Sequence, residues 1–150
     1  MPDRDVVLAK VAAVQRCLRR IKDVTGIDAA RLDDVDAQDI FVLNLQRAIQ
    51  SSIDLATHVI ASEGLGLSDT VRGNFVLLAN AKIITKTLSK KMESMVGFRN
   101  IAIHEYQALD VDILKAILTR HLKDLEHFYT TILKRFGYSK KKRPRRTRSA

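Results

Sequence analysis

The stretch of sequence from position 37 to 62 reads AQDIFVLNLQRAIQSSIDLATHVIAS. Its apolar side chains recur at steps of three and four, the spacing that places them on one face of an α-helix. That face consists of Val42, Leu45, Ile49, Ile53, Ala56 and Ile60. Asp36 is the expected N-cap, acidic Asp39 follows in the first turn, and Gly64-Leu65-Gly66 should end the helix. We therefore predict one long amphipathic helix here.

The same period predicts four further helices, over residues 5–25, 69–81, 85–104 and 111–136. Ser68 is the expected cap of the helix at 69–81, and Gly26 should end the first helix. The stripe of the first helix consists of Val7, Val11, Val14, Leu18 and Ile21. Because the connections are short and no strand is needed, neighbouring helices should pack antiparallel. The fold class expected over residues 1–136 is all-α, an antiparallel up-down bundle of about five helices.

Composition limits the class of protein. At 150 residues and 46% hydrophobic, the chain is long and apolar enough for one folded domain. Its single cysteine, Cys17, excludes an intramolecular disulfide and a cysteine-based metal site, and no His-Glu-x-x-His spacing occurs. The N-terminus does not resemble a signal peptide, and no apolar run approaches the ~18 residues of a membrane span. We expect a soluble, cytoplasmic protein without a bound metal.

The positive charge is concentrated at the C-terminus. Nine Lys or Arg and no acidic residue lie between positions 134 and 150, which accounts for the whole net charge of +9. We predict that residues 137–150 are a disordered basic tail that contacts RNA or another polyanion. The cations proposed for that contact are Lys140, Lys141, Lys142, Arg143, Arg145, Arg146 and Arg148.

The segment with the most candidate catalytic side chains lies at the C-terminal end of the fourth predicted helix. Residues 97–106 read GFRNIAIHEY, with Arg, Asn, His and Tyr crowded together. On a regular helix Asn100 and His104 share one face, and Arg99 nearly eclipses Tyr106. Arg99 and His104 are five residues apart, so their directions differ by about 140°. They can meet over one ligand if the helix is distorted, if the arginine extends, or if two chains share a cleft.

Arg99-Asn100-x-x-x-His104 resembles the Arg-x4–6-His motif of HEPN-domain ribonucleases. Extended to Tyr106, the pattern Arg-x4-His-x-Tyr resembles that of the HepT toxins within the same superfamily. Residues 53–60, IDLATHVI, are similar to a segment of that family's second helix. The resemblance covers roughly residues 5–136, and in this helical frame the motif with its tyrosine is specific.

The resemblance implies a homodimeric, HEPN-like bundle that is the toxin of a type VII-like toxin–antitoxin pair. Arg99, Asn100 and His104 would be the catalytic residues of a metal-independent ribonuclease acting on cellular tRNA or mRNA. The partner would be a cognate MntA-type minimal nucleotidyltransferase antitoxin, which neutralises the toxin by AMPylation of Tyr106. ATP would be used by the antitoxin, and this chain would need no cofactor.

Elementary chemistry agrees with those roles. Metal-free RNA cleavage uses the neighbouring 2′-hydroxyl as nucleophile and needs a base, an acid and a cation. A histidine serves as base or acid near cellular pH, and an arginine offers a planar fork to phosphoryl oxygens. Asn100 can hold His104 or a phosphate oxygen through hydrogen bonds. A twofold dimer supplies two copies of His104, although one histidine with water would also serve.

Several alternatives stay open from the residues alone. The whole chain could be a non-catalytic helical subunit that binds nucleotide or substrate for a nucleotidyltransferase. Asp54 and His58, one turn apart, are candidate cleft-lining residues, but a structural pair on a helix flank is favoured. His121 lies on an apolar stripe and is expected in the core or at an interface, whereas His127 should be solvated. That stripe consists of Leu114, Leu118, His121, Leu125, Phe128 and Ile132.

Overall fold

The computed structural model describes residues 1–138, and within them it contains helices and no strand. The α-helices are α1 (Arg4–Thr25), α2 (Val35–Glu63), α3 (Val71–Asn80), α4 (Lys86–His104), α5 (Val111–Ala116) and α6 (Leu122–Phe136). A π-helical turn, Ile117–His121, joins α5 to α6, and short 3₁₀ helices cover Ala29–Asp33 and Tyr106–Ala108. The predicted all-α class is confirmed, and the fifth predicted helix is α5 and α6 with the π-helical turn between them.

Helix α2 lies at the centre of the bundle and contacts α1, α3, α4 and α6. Every residue of its predicted inner face is buried, as are four of the five residues in the predicted α1 stripe. The exception, Leu18, is half-buried against the core. Among the described helices, α2 included, none combines the length and the apolar character that crossing a membrane requires.

Two predicted helix starts are wrong by two residues. Asp34, not Asp36, caps α2: its backbone is extended and its carboxylate accepts a hydrogen bond from the Ala37 N–H. Thr70, not Ser68, caps α3 by accepting from the Gly73 N–H. In both places an equally good cap residue stands two positions away, so residue type alone does not select the boundary.

The folded domain extends two residues past the predicted boundary at 136. Gly137 ends α6 with a φ of 70°, a left-handed conformation that favours glycine. The hydroxyl of Tyr138 donates to the carbonyl of Pro2, and its ring stacks on Phe136. The prediction of a disordered tail is therefore wrong for residues 137 and 138. Its remainder, including the seven proposed cations, lies outside the described residues.

The aromatic contact between α3 and α6 offers a test of the packing. Phe75 and Phe128 are fully buried and meet edge to face, with ring centroids 5.3 Å apart. We predict that Phe75→Ala lowers the free energy of unfolding by about 3–5 kcal/mol, because it removes apolar contacts and leaves a cavity. Urea denaturation at fixed protein concentration measures the change.

The matched control is Val76→Ala, one residue further along the same helix, where the side chain is 40% exposed. That substitution should change the free energy of unfolding by no more than about 0.5 kcal/mol. Equal effects of the two substitutions would contradict the burial of α3 described here.

Candidate active site

Helix α4 carries the residues of the motif at its C-terminal end. Thr85 caps its start by accepting a hydrogen bond from the Leu88 N–H. The helix is regular from Lys86 to His104 and ends at Glu105, whose φ of −141° and ψ of 55° leave the helical region. His104 therefore stands exposed in the last turn of the helix, open to a ligand.

Arg99 and Asn100 are in contact, and His104 lies one turn beyond Asn100 on the same face. The Nη1 of Arg99 donates to the Oδ1 of Asn100 at 3.4 Å. The Nε of Arg99 is buried and has no hydrogen-bond partner among residues 1–138, although the side chain as a whole is half-buried. Because α4 is undistorted, Arg99 and His104 still point about 140° apart. The two side chains can therefore meet over one ligand only if Arg99 extends or if a second chain contributes one of them.

Tyr106 does not lie above Arg99, so the eclipsed arrangement expected from the spacing is wrong. The helix has already ended, and Tyr106 begins the 3₁₀ helix that follows. Its side chain is 44% exposed, and its hydroxyl donates to the Oδ1 of Asp39 on α2. Partial burial, then the hydrogen bond and charge of Asp39, raise the pKa of Tyr106 to about 12. At neutral pH this tyrosine is therefore a neutral hydroxyl held at the surface.

Asp39 is the site residue that sequence reasoning missed. It belongs to the predicted first turn of α2, where an acid is explained by the helix dipole. Its contact with Tyr106 spans 67 residues of sequence. No local pattern reports such a contact, so only the folded chain identifies it.

Asp54 and His58 are placed away from the motif within this chain. The carboxylate of Asp54 accepts from Lys10 Nζ at 3.3 Å and from Gln50 Nε2 at 2.9 Å. The Nε2 of His58 accepts from the backbone N–H of Asp3 at 3.0 Å. Asp54 lies 15 residues beyond the acid that holds Tyr106, which is roughly 22 Å of helix rise. Both side chains join α2 to α1, so the structural interpretation favoured from the sequence fits them.

His121 is not in the core. Its side chain is 49% exposed, and its Nδ1 lies 3.2 Å from a carboxylate oxygen of Asp124, which is only 5% exposed. The π-helical turn ends at His121, and its wider winding rotates this residue off the apolar stripe that the α-helical period predicts. His127 is exposed, as expected. Across residues 1–138 no three His, Cys, Asp or Glu side chains are grouped to hold a metal ion.

Known proteins are similar to this chain over the same helical domain. A family model described as ribonuclease HepT-like matches residues 14–132. The mRNA nuclease HepT of Shewanella oneidensis is 40% identical over 128 residues, which cover 85% of this chain and 96% of that protein. The tRNA nuclease HepT of Aphanizomenon flos-aquae is 28% identical over 109 residues, covering 70% of this chain and 72% of that protein.

A solved structure gives the same picture of the fold. It is the tri-AMPylated Shewanella oneidensis HEPN toxin in complex with MNT antitoxin. That toxin superposes on this chain with a TM-score of 0.82 at 40% identity, covering 87% of this chain and 98% of its own.

The contact between Tyr106 and Asp39 can be tested by titration. Asp39→Asn removes the negative charge that repels the phenolate, so the pKa of Tyr106 should fall from about 12 towards the ordinary ~10. Burial remains in this variant, so the fall should be partial. Tyrosinate absorbance followed against pH measures the shift.

Tyr106→Phe provides the control, because it identifies which step of the titration belongs to this residue. A Tyr106 step that stays at the same pH in Asp39→Asn would show that burial alone raises the pKa.

Proposed function

The chain belongs to the HepT-like family and is a ribonuclease, and on that premise we propose that it is the toxin of a toxin–antitoxin pair in the cytoplasm. It cleaves mRNA or tRNA without a metal ion, and Arg99, Asn100 and His104 carry the reaction. The observation that supports this site is the exposed end of α4. There an arginine, an asparagine and a histidine stand within six residues, 99–104, in a chain 40% identical to an mRNA nuclease.

The proposed reaction needs only groups that the chain supplies. The 2′-oxygen of RNA attacks the adjacent phosphorus, and the bond from that phosphorus to the 5′-oxygen breaks. His104 takes the 2′-proton or gives a proton to the leaving 5′-oxygen, and its exposure allows either contact. The guanidinium of Arg99 stabilises the charge that develops on the phosphoryl oxygens, and Asn100 holds that guanidinium through its Oδ1.

A homodimer completes the site in this proposal. One chain offers one His104, and on regular α4 that residue points away from Arg99 of the same chain. A second copy supplies a second histidine, so that one serves as base and the other as acid. Ile103 is a large apolar side chain exposed close to the motif, and it suits such an interface.

The proposed partner is an MntA-type nucleotidyltransferase that transfers AMP from ATP to Tyr106. The Oη of Tyr106 attacks the α-phosphorus and loses its proton, the new O–P bond forms, and pyrophosphate leaves. ATP is thus a substrate of the antitoxin, and the toxin itself needs no cofactor. The exposure of Tyr106 and its place two residues after His104 support this role, because a bound AMP adds negative charge beside the nuclease site.

Cleavage of purified RNA in the presence of EDTA tests the nuclease site. We predict that His104→Ala and Arg99→Ala each lower the cleavage rate by at least about 100-fold. Losses of this size are usual for a positioned acid or base and for a donor that stabilises transition-state charge. His127→Ala, which removes an exposed histidine on α6, should leave the rate unchanged. All variants are compared as folded proteins of the same oligomeric state.

Equal losses in the His127 and His104 variants would contradict the assignment of the site. Intact RNA with every preparation, with Tyr106 verified as unmodified, would instead favour a non-catalytic binding subunit.

Labelled AMP tests the modification. With the antitoxin and ATP, Tyr106→Phe should incorporate no label, because the acceptor oxygen is absent. Tyr138→Phe should incorporate as much as the unaltered chain, since its hydroxyl is held by Pro2 at the opposite end of the sequence. Mass spectrometry of digested toxin locates the label, and label on any other residue of the Tyr106→Phe variant would contradict the proposal.

A further inference from the structure

A groove of about 640 Å³ lies between α3, α4 and the π-helical turn, outside the motif residues assigned above. We call it the α4 groove. Its walls carry Arg72 from α3, Lys90 and Lys91 from α4, and His121 at the end of the π-helical turn. Cations from separate elements therefore face one concave surface.

The α4 groove leads towards His104. Gly97 and Ile101 both line it, and His104 is the next position on the same face of α4, because the three residues follow the helical spacing of four and three. The rise from Ile101 to His104 is about 4.5 Å along the helix axis. A strand that lies in the groove therefore reaches the nuclease site at one end.

The guanidinium of Arg72 can lie against α4 because residue 97 is a glycine. A Cβ on Gly97 would lie 2.4 Å from the Nη2 of Arg72, so the guanidinium rests directly against the backbone of α4. A glycine inside a helix costs about 1 kcal/mol of stability relative to alanine. Within residues 1–138 neither Arg72 nor Lys90 forms an ion pair within 4.0 Å. Both charges are thus available to an anion.

His121 is held in a fixed orientation at the same surface. The buried carboxylate of Asp124 contacts Nδ1 of the ring, which leaves Nε2 for a ligand. The same carboxylate lies 3.8 Å from the Nζ of Lys91. π-Helical turns occur frequently at functional sites, and this one ends at the histidine in question.

The acidic groups of the α4 groove are already engaged. Asp124 is shared between Lys91 and His121, and Glu93 accepts a hydrogen bond from the Ser89 hydroxyl at 2.8 Å. Because Ser89 is neutral, Glu93 keeps its negative charge, and the three cations Arg72, Lys90 and Lys91 against the two carboxylates Glu93 and Asp124 leave the lining with a net charge of +1. This balance suits a phosphate backbone.

We propose that the α4 groove binds the phosphate backbone of an RNA strand next to the nucleotide cut at His104, through Arg72, Lys90 and the Nε2 of His121. The inference rests on the proposed ribonuclease function and assigns the place where the substrate lies. Arg72 provides a planar donor pair for phosphoryl oxygens, and Lys90 adds a mobile ammonium. His121, with Nδ1–H on Asp124, donates from Nε2 when the ring carries both protons.

The test is binding of a fluorescein-labelled single-stranded oligoribonucleotide of mixed sequence, measured by anisotropy. The full chain carries His104→Ala so that the probe is not cut. The double variant Arg72→Gln/Lys90→Gln should bind on the order of tenfold more weakly, and the slope of log Kd against log salt should fall by roughly 0.7 for each lost phosphate contact. His121→Gln, which keeps a donor but loses the fixed ring, should weaken binding less.

The matched control is Arg19→Gln/Arg20→Gln, on the exposed side of α1. It removes two positive charges, as many as Arg72→Gln/Lys90→Gln, and the basic tail is present in both double variants. Binding by this control should stay close to that of the parent. Equal weakening by the two double variants would overturn the proposal, because it would show only a general effect of net charge.

Gly97→Ala tests the position of Arg72 without changing any charge. The added methyl displaces the guanidinium, so RNA affinity should fall severalfold while the helix becomes no less stable. Unchanged affinity in both Gly97→Ala and Arg72→Gln/Lys90→Gln would overturn the proposal.

Two further measurements separate this inference from the proposed function. If the groove variants change the oligomeric state or no longer bind the antitoxin while their RNA affinity is unchanged, the groove is a protein interface and the proposal fails. If RNA binds in the groove but cleavage does not depend on His104, the nuclease assignment fails while the groove assignment holds.

Discussion

Helix α2 packs against α1, α3, α4 and α6, so the position of each of these helices depends on one buried surface. The three- and four-residue spacing of its apolar side chains continues for most of its 29 residues and leaves only a narrow polar flank. That flank carries Asp39 near one end and Asp54 with His58 near the other. The same helix therefore anchors Tyr106 at one end of the bundle and the start of α1 at the other.

The place where α4 ends determines what the motif can do. Regular helix continues to His104, so Arg99 and His104 diverge, and one chain presents a half-buried arginine beside an exposed histidine. After Glu105 the backbone leaves the helix, and Tyr106 turns towards Asp39 instead of towards Arg99. In the proposed function, modification of this tyrosine adds charge next to His104 without requiring a change in the packing of α2.

Features that depend on local periodicity could be predicted from the sequence, and those that depend on folding could not. The buried stripes and the helix stops at Gly26 and Gly137 follow from residue type and spacing. The π-helical turn could not be found this way, because an α-helical period assigns His121 to the apolar face. The motif was recognisable only by its resemblance to a known family, and the contact of Tyr106 with Asp39 needs the tertiary fold.

Net charge illustrates the same difference between sequence and fold. Residues 1–133 are formally neutral, since the nine basic residues that follow account for the whole +9 of the chain. Yet acids and bases are not mixed evenly over the folded surface, because many aspartates serve as helix caps. The caps of α1, α2, α5 and the first 3₁₀ helix are Asp3, Asp34, Asp110 and Asp28. With their carboxylates bonded to backbone N–H groups at helix starts, these acids do not neutralise the cations along α3 and α4. A neutral body can therefore carry a locally basic groove, and the position of each charge, not the total, determines where a polyanion binds.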